Sequence, residues 1–245
     1  MQRVLIVTGA SRGIGAAIAK LAAARGYAVA VNFSSDRAVA DCVVAEIGAA
    51  AIAIQGNVGL EHDVLRLFET TERKLGPVRA LVNNAGITGG FARVDQIDSA
   101  RVEEMLRINV LGTMLCSREA VRRMSTRQGG SGGAIVNISS LAARTGGTGE
   151  WVHYAASKGA VNTFTIGMAR EVAGEGIRVN AVAPGLIDTG LHAANGEPGR
   201  LDRLAPSIPM KRPGTVDEVA HAVLWLLSDE ASYVTGSILE VGGGR

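Results

Sequence analysis

Short runs of aliphatic and β-branched residues alternate along this chain with longer stretches whose apolar positions recur every three to four residues. The runs Val4–Thr8, Ala28–Asn32, Ala51–Gln55, Val78–Val82, Ala134–Ser139, Ile177–Val182 and Ile238–Val241 read as strands. The helical stretches between them are Ile14–Arg25, Arg37–Ile47, Asp63–Leu75, Ser99–Met124, a helix through Tyr154 to Ala173, and Val216–Leu227. Strands that alternate with helices predict βαβ units in an α/β fold with a parallel sheet. Seven strands and six main helices fill residues 1–245 as one expected domain, with no linker, repeat or low-complexity tract. The one long irregular stretch, Thr189–Pro213, falls where a functional loop is expected, since long unstructured loops inside compact domains usually serve function.

Composition adds limits. A chain of 245 residues, 47% hydrophobic, can bury about 70–75% of its unfolded surface. The net charge is only +2, and basic residues are scattered among acids, so nucleic acid is not an expected partner. No apolar run reaches the ~18–20 residues of a membrane-spanning helix. No signal peptide precedes the first strand, so a cytoplasmic protein is expected, with Cys42 and Cys116 as reduced core residues. The four histidines have no metal-ligand spacing, and no metal is expected. His62 and His221 read as surface residues.

Chemistry enters after the first strand, at Thr8-Gly9-Ala10-Ser11-Arg12-Gly13-Ile14-Gly15. Gly9 suits a tight turn, Gly13 lets backbone N–H groups approach a pyrophosphate, and Gly15 lets the following helix pack closely. The helix N-terminus adds partial positive charge. About twenty residues on, the second strand ends at Asn32-Phe33-Ser34-Ser35 without the acid that would bind a ribose 2′-hydroxyl. Asp36 reads as the cap of the next helix. Arg12, Ser34 and Ser35 suit a 2′-phosphate, so NADP is favoured and NAD stays open.

Tyr154 and Lys158 lie four residues apart, on one face of a helix. A positive charge ~4 Å from the phenol, at an effective dielectric of ~20, favours phenolate by ~4 kcal/mol. That would lower the tyrosine pKa by ~3 before any cost of burial.

The motifs Thr8–Gly15, Asn83-Asn84-Ala85-Gly86, Asn109 in Ile-Asn-Val, Ser139-Ser140, Tyr154/Lys158 and Pro184-Gly185 occur in one order across nearly the whole chain. Together they resemble the single-domain short-chain dehydrogenase/reductase family. The resemblance implies a Rossmann-type doubly wound sheet with helices on both faces, and a catalytic tetrad of Asn109, Ser140, Tyr154 and Lys158. Tyr154 would exchange the proton, and Ser140, at the carboxyl end of its strand, would bind the substrate oxygen. Ser139 would point to the opposite face. Lys158 would also hold the nicotinamide ribose, and Asn109 a relay water.

For the cofactor, the resemblance implies Asn57-Val58 at the adenine, Asn84-Ala85-Gly86 beneath the adenosine ribose, and a nicotinamide loop from Pro184 and Gly185 through Ile187 to Thr189. Gly242 stands where the family often has an acid. Trp151, His153 and His192 are candidates for the substrate pocket. The leading expectation is an NADP-dependent carbonyl reductase or alcohol dehydrogenase, in the form of a homotetramer built on Met105–Met124 and Val161–Ala173. The alternatives are a 3-oxoacyl-acyl-carrier-protein reductase, a sugar or polyol dehydrogenase, and, more remotely, a non-catalytic cofactor-binding sensor. Arg122, Arg123 and Arg127 would serve an acidic carrier protein.

Overall fold

The computed structural model describes residues 3–189 and 199–245. Seven parallel strands form one sheet in the order β3-β2-β1-β4-β5-β6-β7. They are β1 Arg3–Val7, β2 Tyr27–Phe33, β3 Ala51–Gln55, β4 Val78–Asn83, β5 Gly133–Ile138, β6 Ile177–Pro184 and β7 Ile238–Val241. The strand order reverses between β1 and β4, and the crevice beyond the carboxyl ends at that point is where such sheets bind ligands.

Alternation within each strand divides the core in two. Leu5, Val7, Val29 and Val31 face α1 (Gly13–Ala24), α2 (Arg37–Ile47) and the C-terminal helix Val216–Leu227. Val4, Ile6, Ala28 and Ala30 face α3 (Glu61–Leu75), α5 (Thr113–Met124) and α7 (Val152–Val172), the shorter α4 (Ser99–Leu106) and α6 (Ala142–Thr145) lying between these in the chain. Burial on both faces explains why these strands read as continuous apolar runs and not as alternating ones. Helix ends follow local rules: Asp36 caps α2 by accepting from the Val39 N–H at 3.2 Å, and Thr215 and Glu218 form a capping box on the C-terminal helix.

Two expectations change. The helix expected over Ser99–Met124 is α4 (Ser99–Leu106) and α5, with a wide π-helical turn at Arg107–Gly112 between them. A Cβ on Gly112 would lie 2.7 Å from Val58 Cγ2, so this turn sits hard against the chain after β3. Cys42 is exposed, not in the core, because it lies on the outer face of α2; Cys116 is buried, and burial pushes its thiol up to about 12. His62 and His221 are exposed as expected. No helix of the described residues is long and apolar enough to cross a membrane.

A buried polar chain crosses the sheet near its carboxyl edge. Asn83, at the end of β4, donates to Asn137 Oδ1 at 2.8 Å and to Ser117 Oγ at 3.0 Å. Asn137 in turn donates to Thr165 Oγ1 at 2.9 Å. Satisfied networks of this kind fix one arrangement of the elements that share them, here β4, β5, α5 and α7.

Candidate active site

The glycine turn is tied to the end of β4. Thr8 Oγ1 accepts from the N–H groups of Asn84 and Ala85, each at 3.0 Å, while the Asn84 amide donates to the carbonyls of Thr8 and Gly9 at 3.0 and 2.9 Å. Gly9 has φ +60°, and a Cβ there would stand 2.8 Å from the Ala85 backbone. At Gly15 a Cβ would come within 2.5 Å of Asn84 Nδ2 and of the Gly9 carbonyl. Gly13 is different: its φ is +55°, and a Cβ would meet nothing nearer than Thr189 at 3.9 Å. Gly9 and Gly15 are therefore demanded by close packing, and Gly13 by its positive φ. Ser11 and Ile14 complete the turn, Arg12 being the N-cap of α1.

The neighbouring loops line the same crevice. Asn32 holds the turn and the chain after β3 together: its Oδ1 accepts from Gly9 N–H at 3.3 Å, and its Nδ2 donates to the carbonyls of Ile54 and Gly56. Asn57 caps its own loop by accepting from Gly59 N–H at 2.9 Å, and Val58 is buried against Gly112. Ser34 and Ser35 are exposed beyond β2. The Arg12 guanidinium lies 3.9 Å from Asp36, and both side chains are largely exposed. Pro184 ends β6, Gly185 packs on Gly242, and Ile187 pairs with Gly214. A Cβ on Gly242 would lie 2.2 Å from Leu141 Cδ1, so Leu141 packs where the acid common in the family would stand and would have to turn aside for it.

Three of the four tetrad positions converge at Gly86 and Tyr154. A Cβ placed on Gly86 would lie 3.2 Å from Asn109 Oδ1 and 3.5 Å from Lys158 Nζ. Asn109 is fully buried in the π-helical turn, where its Oδ1 accepts from Ile87 N–H at 2.9 Å. Its Nδ2 donates to the Ile87 carbonyl at 2.8 Å and to Ser157 Oγ at 3.1 Å. Asn109 thus fastens the loop after β4 to α7. Lys158 Nζ donates to the Ile138 carbonyl at 2.7 Å and lies 5.7 Å from the Tyr154 ring centre. Ser140 follows β5; its hydroxyl bonds to the Tyr154 phenol and accepts from Ala142 N–H at 3.1 Å. Ser139 turns the other way and donates to the Lys158 carbonyl at 3.3 Å.

Electrostatics reverse the simple Coulomb expectation for this pair. Burial pushes the Tyr154 phenol up to about 12, with the Ser140 hydrogen bond opposing, and pushes the Lys158 ammonium down to about 8. Both groups lose water, and the ammonium is spent on a carbonyl, so desolvation outweighs attraction. At neutral pH Tyr154 is a phenol with a proton to give.

Trp151, just ahead of α7, is buried, tilted at 5.5 Å against Tyr154 and stacked at 4.7 Å on Phe91. His153 is buried against the loop after β4, with its Nε2 3.1 Å from the Gly90 carbonyl. It borders a separate cavity of about 60 Å³ with Gly89, Phe91, Asp98 and Arg101. His192 lies outside the described residues. Phe91 and Glu150, to which the sequence assigns no role, meet Arg200 of the Thr189–Pro213 stretch here, from three distant segments. Arg200 bonds Glu150 through both terminal nitrogens at 2.5 Å, and its Cζ lies 4.7 Å from the Trp151 ring and 5.3 Å from Phe91. No local spacing signals such an encounter. Among the described residues no group of three or more His, Cys, Asp or Glu is placed to hold a metal ion.

Comparison with known proteins agrees with this arrangement. Residues 9–245 match the family model adh_short_C2, described as Enoyl-(Acyl carrier protein) reductase. The chain is 49% identical over 245 residues to the "Uncharacterized oxidoreductase YgfF" of Escherichia coli, covering 99% of each. It is 41% identical over 250 residues to the human "3-oxoacyl-[acyl-carrier-protein] reductase", covering 100% of this chain and 98% of the relative. The "Carbonyl reductase family member 4" of Xenopus tropicalis is also 41% identical, over 244 residues, with the same coverage. With the glycine turn braced by Asn84, and with Ser140, Tyr154 and Lys158 gathered beyond one end of a doubly wound parallel sheet, the chain belongs to the short-chain dehydrogenase/reductase family.

Proposed function

We propose that this protein is an NADP(H)-dependent carbonyl reductase and secondary-alcohol dehydrogenase, with Tyr154 as its general acid and base. The observation that carries the reading is the meeting of the Tyr154 phenol with Ser140 after β5 and with Lys158 Nζ, 5.7 Å from its ring centre. Gly13, at φ +55°, leaves the first turn of α1 free of a side chain where a pyrophosphate would approach its N–H groups. Gly9, Ser11, Arg12, Ile14 and Gly15 would hold the phosphates. Asn57 and Val58 would meet the adenine, Asn84–Gly86 the adenosine ribose, and Pro184–Thr189 the carboxamide. The reduced nicotinamide, when bound, supplies the hydride.

In reduction the substrate oxygen accepts hydrogen bonds from Ser140 and Tyr154. As negative charge develops on it, Tyr154 transfers its proton and becomes a phenolate. Ser140 and the Lys158 ammonium stabilise that charge where water is excluded. Asn109 keeps the Ile87 loop and α7 in register, so the phenol and the cofactor crevice hold a fixed separation. Oxidation of the alcohol runs the same proton path backwards. Tyr154→Phe is expected to bind NADPH as the parent does and to lose turnover at least a thousand-fold, on the order of a lost general acid plus a lost oxygen ligand. Steady-state kinetics against a panel of ketones, with fluorescence titration of NADPH, checks this; parental kcat in the variant would sink the mechanism.

Selection of NADP over NAD rests on Arg12, Ser34 and Ser35. Asp36 near Arg12 favours NAD as the competing reading, because a carboxylate repels a 2′-phosphate. If Arg12 grips that phosphate, Arg12→Ala raises the KM for NADPH on the order of ten-fold and leaves that for NADH nearly unchanged. Equal effects on both cofactors would favour the NAD reading.

The name of the human relative keeps acyl-carrier-protein substrates as a second reading. Against it, the three arginines that would greet an acidic carrier are each paired: Arg122 with Glu119 at 2.9 Å, Arg123 with Glu72 at 3.0 Å, and Arg127 with Glu175 at 3.2 Å. A carrier-bound 3-oxoacyl thioester reduced far faster than a simple ketone would reverse this preference. A homotetramer through α4, α5 and α7 completes the proposal, in a cytoplasmic enzyme.

A further inference from the structure

The wall beside Tyr154 contains a charge that plays no part in the proton path. Arg200, at the start of the short helix Arg200–Leu204, is 3% exposed. Its two terminal nitrogens are both taken by the Glu150 carboxylate. Its flat face rests on Trp151 and Phe91, and Trp151 leans on Tyr154, so the guanidinium stands one ring away from the reacting phenol. Trp151 cannot yield easily. A Cβ on Gly147 would already touch its Cδ1 at 2.8 Å, and Ala92 N–H donates to the Glu150 carbonyl at 2.8 Å on the other side.

Two features make this more than a structural ion pair. The guanidinium Nε–H is a further donor, buried and with no acceptor among the described residues. A buried donor without an acceptor is uncommon enough to require a reason, and an incoming ligand is one. The bidentate carboxylate also offsets the Arg200 charge beside the two rings. Were Glu150 absent, a buried guanidinium would remain uncompensated and would draw in an anion.

We infer that Arg200 is a specificity-determining residue: neutralised by Glu150, it directs the site toward uncharged carbonyl compounds with an apolar flank and a hydrogen-bond acceptor, and away from 2-oxo acids. This rests on the proposed reaction only for its turnover readout. The rings supply the apolar surface, the Arg200 Nε–H supplies a donor, and Glu150 offsets the charge that would otherwise attract a substrate carboxylate.

Ethyl pyruvate and pyruvate share a skeleton and differ in charge, so they test the inference directly. The parent protein should prefer the ester. In Glu150→Gln the ratio of kcat/KM for the acid over the ester should rise on the order of ten-fold, and Arg200→Met added to it should return the ratio to the parental value. The same comparison can be read without turnover. With Trp225→Phe as background, Trp151 is the one remaining tryptophan of two, and its fluorescence reports pyruvate binding. The Kd should tighten on the order of ten-fold in Glu150→Gln and recover in the double variant, also when Tyr154 is phenylalanine. A ratio and a Kd unmoved by Glu150→Gln, or moved equally in the double variant, would overturn the inference. Turnover surviving in Tyr154→Phe would instead overturn the reaction mechanism, while the binding titration still decides the role of Arg200.

Discussion

At the scale of single residues, the decisive balance is between attraction and desolvation at Tyr154 and Lys158. Four-residue spacing brings the ammonium to the phenol, but 5.7 Å from the ring and already bonded to the Ile138 carbonyl. Loss of water then dominates both groups. Lys158 is held near pKa 8 against an ordinary 10.5, so its folded form binds fewer protons than the unfolded chain between those values. Stability from this group therefore rises as pH climbs from about 8 to about 10.5, and below 8 the buried charge costs up to about 3 kcal/mol. Lys158→Met is expected to abolish turnover yet raise the Tm at pH 7 by several degrees. The advantage should shrink as pH rises from 8 to 10.5, which calorimetry at several pH values can follow. A Tm advantage that does not change with pH would contradict this assignment of the cost.

At the scale of elements, α5 and α3 are joined by a carboxylate at the centre of three arginines. Glu119 is 2% exposed and accepts from Arg118 at 3.1 Å, Arg122 at 2.9 Å and Arg123 at 2.6 Å; Arg123 also reaches Glu72 on α3. Burial alone would raise its pKa, but the guanidiniums, Arg123 foremost, bring it below the usual range. Glu119→Gln should cost roughly 2–3 kcal/mol, because Arg123 is then left half-paired in a nearly buried position. Urea unfolding with an unchanged m-value would measure it, and a loss under about 0.5 kcal/mol would show that the arginines simply turn to water. The π-helical turn between α4 and α5 belongs to the same scale. It exists because Gly112 must clear Val58 while Asn109 reaches both sides of Ile87, two contacts supplied by chain segments far away in sequence.

At the scale of the whole molecule, Leu106, Leu111, Met114 and Ile166 are 37–44% exposed on or beside α4, α5 and α7. They lie in or beside Met105–Met124 and Val161–Ala173, where the family resemblance leads one to expect a subunit contact. If they meet a second copy, light scattering should give a tetramer, and Leu111→Arg with Ile166→Arg should reduce the mass while NADPH binding persists. A parent protein that is monomeric at micromolar concentration would rule the contact out.

Local information in the sequence was enough for most of the framework. The α2, β3, β7 and Val216–Leu227 boundaries follow directly from apolar period and flanking turn residues, and the others shift by one or two positions because helix and strand ends fray. The glycine turn, the Tyr154/Lys158 spacing and Ser140 were legible because each depends on residues close together in the chain. What the tertiary structure alone decided depends on residues far apart. The exposure of Cys42, the break at Arg107–Gly112, the packing of Leu141 on Gly242 and the Glu150–Arg200 pair are all set by packing partners. The protonation of Tyr154 is the sharpest case. Spacing alone gives the charge that would pull its proton away, but only the fold gives the burial that keeps the proton in place.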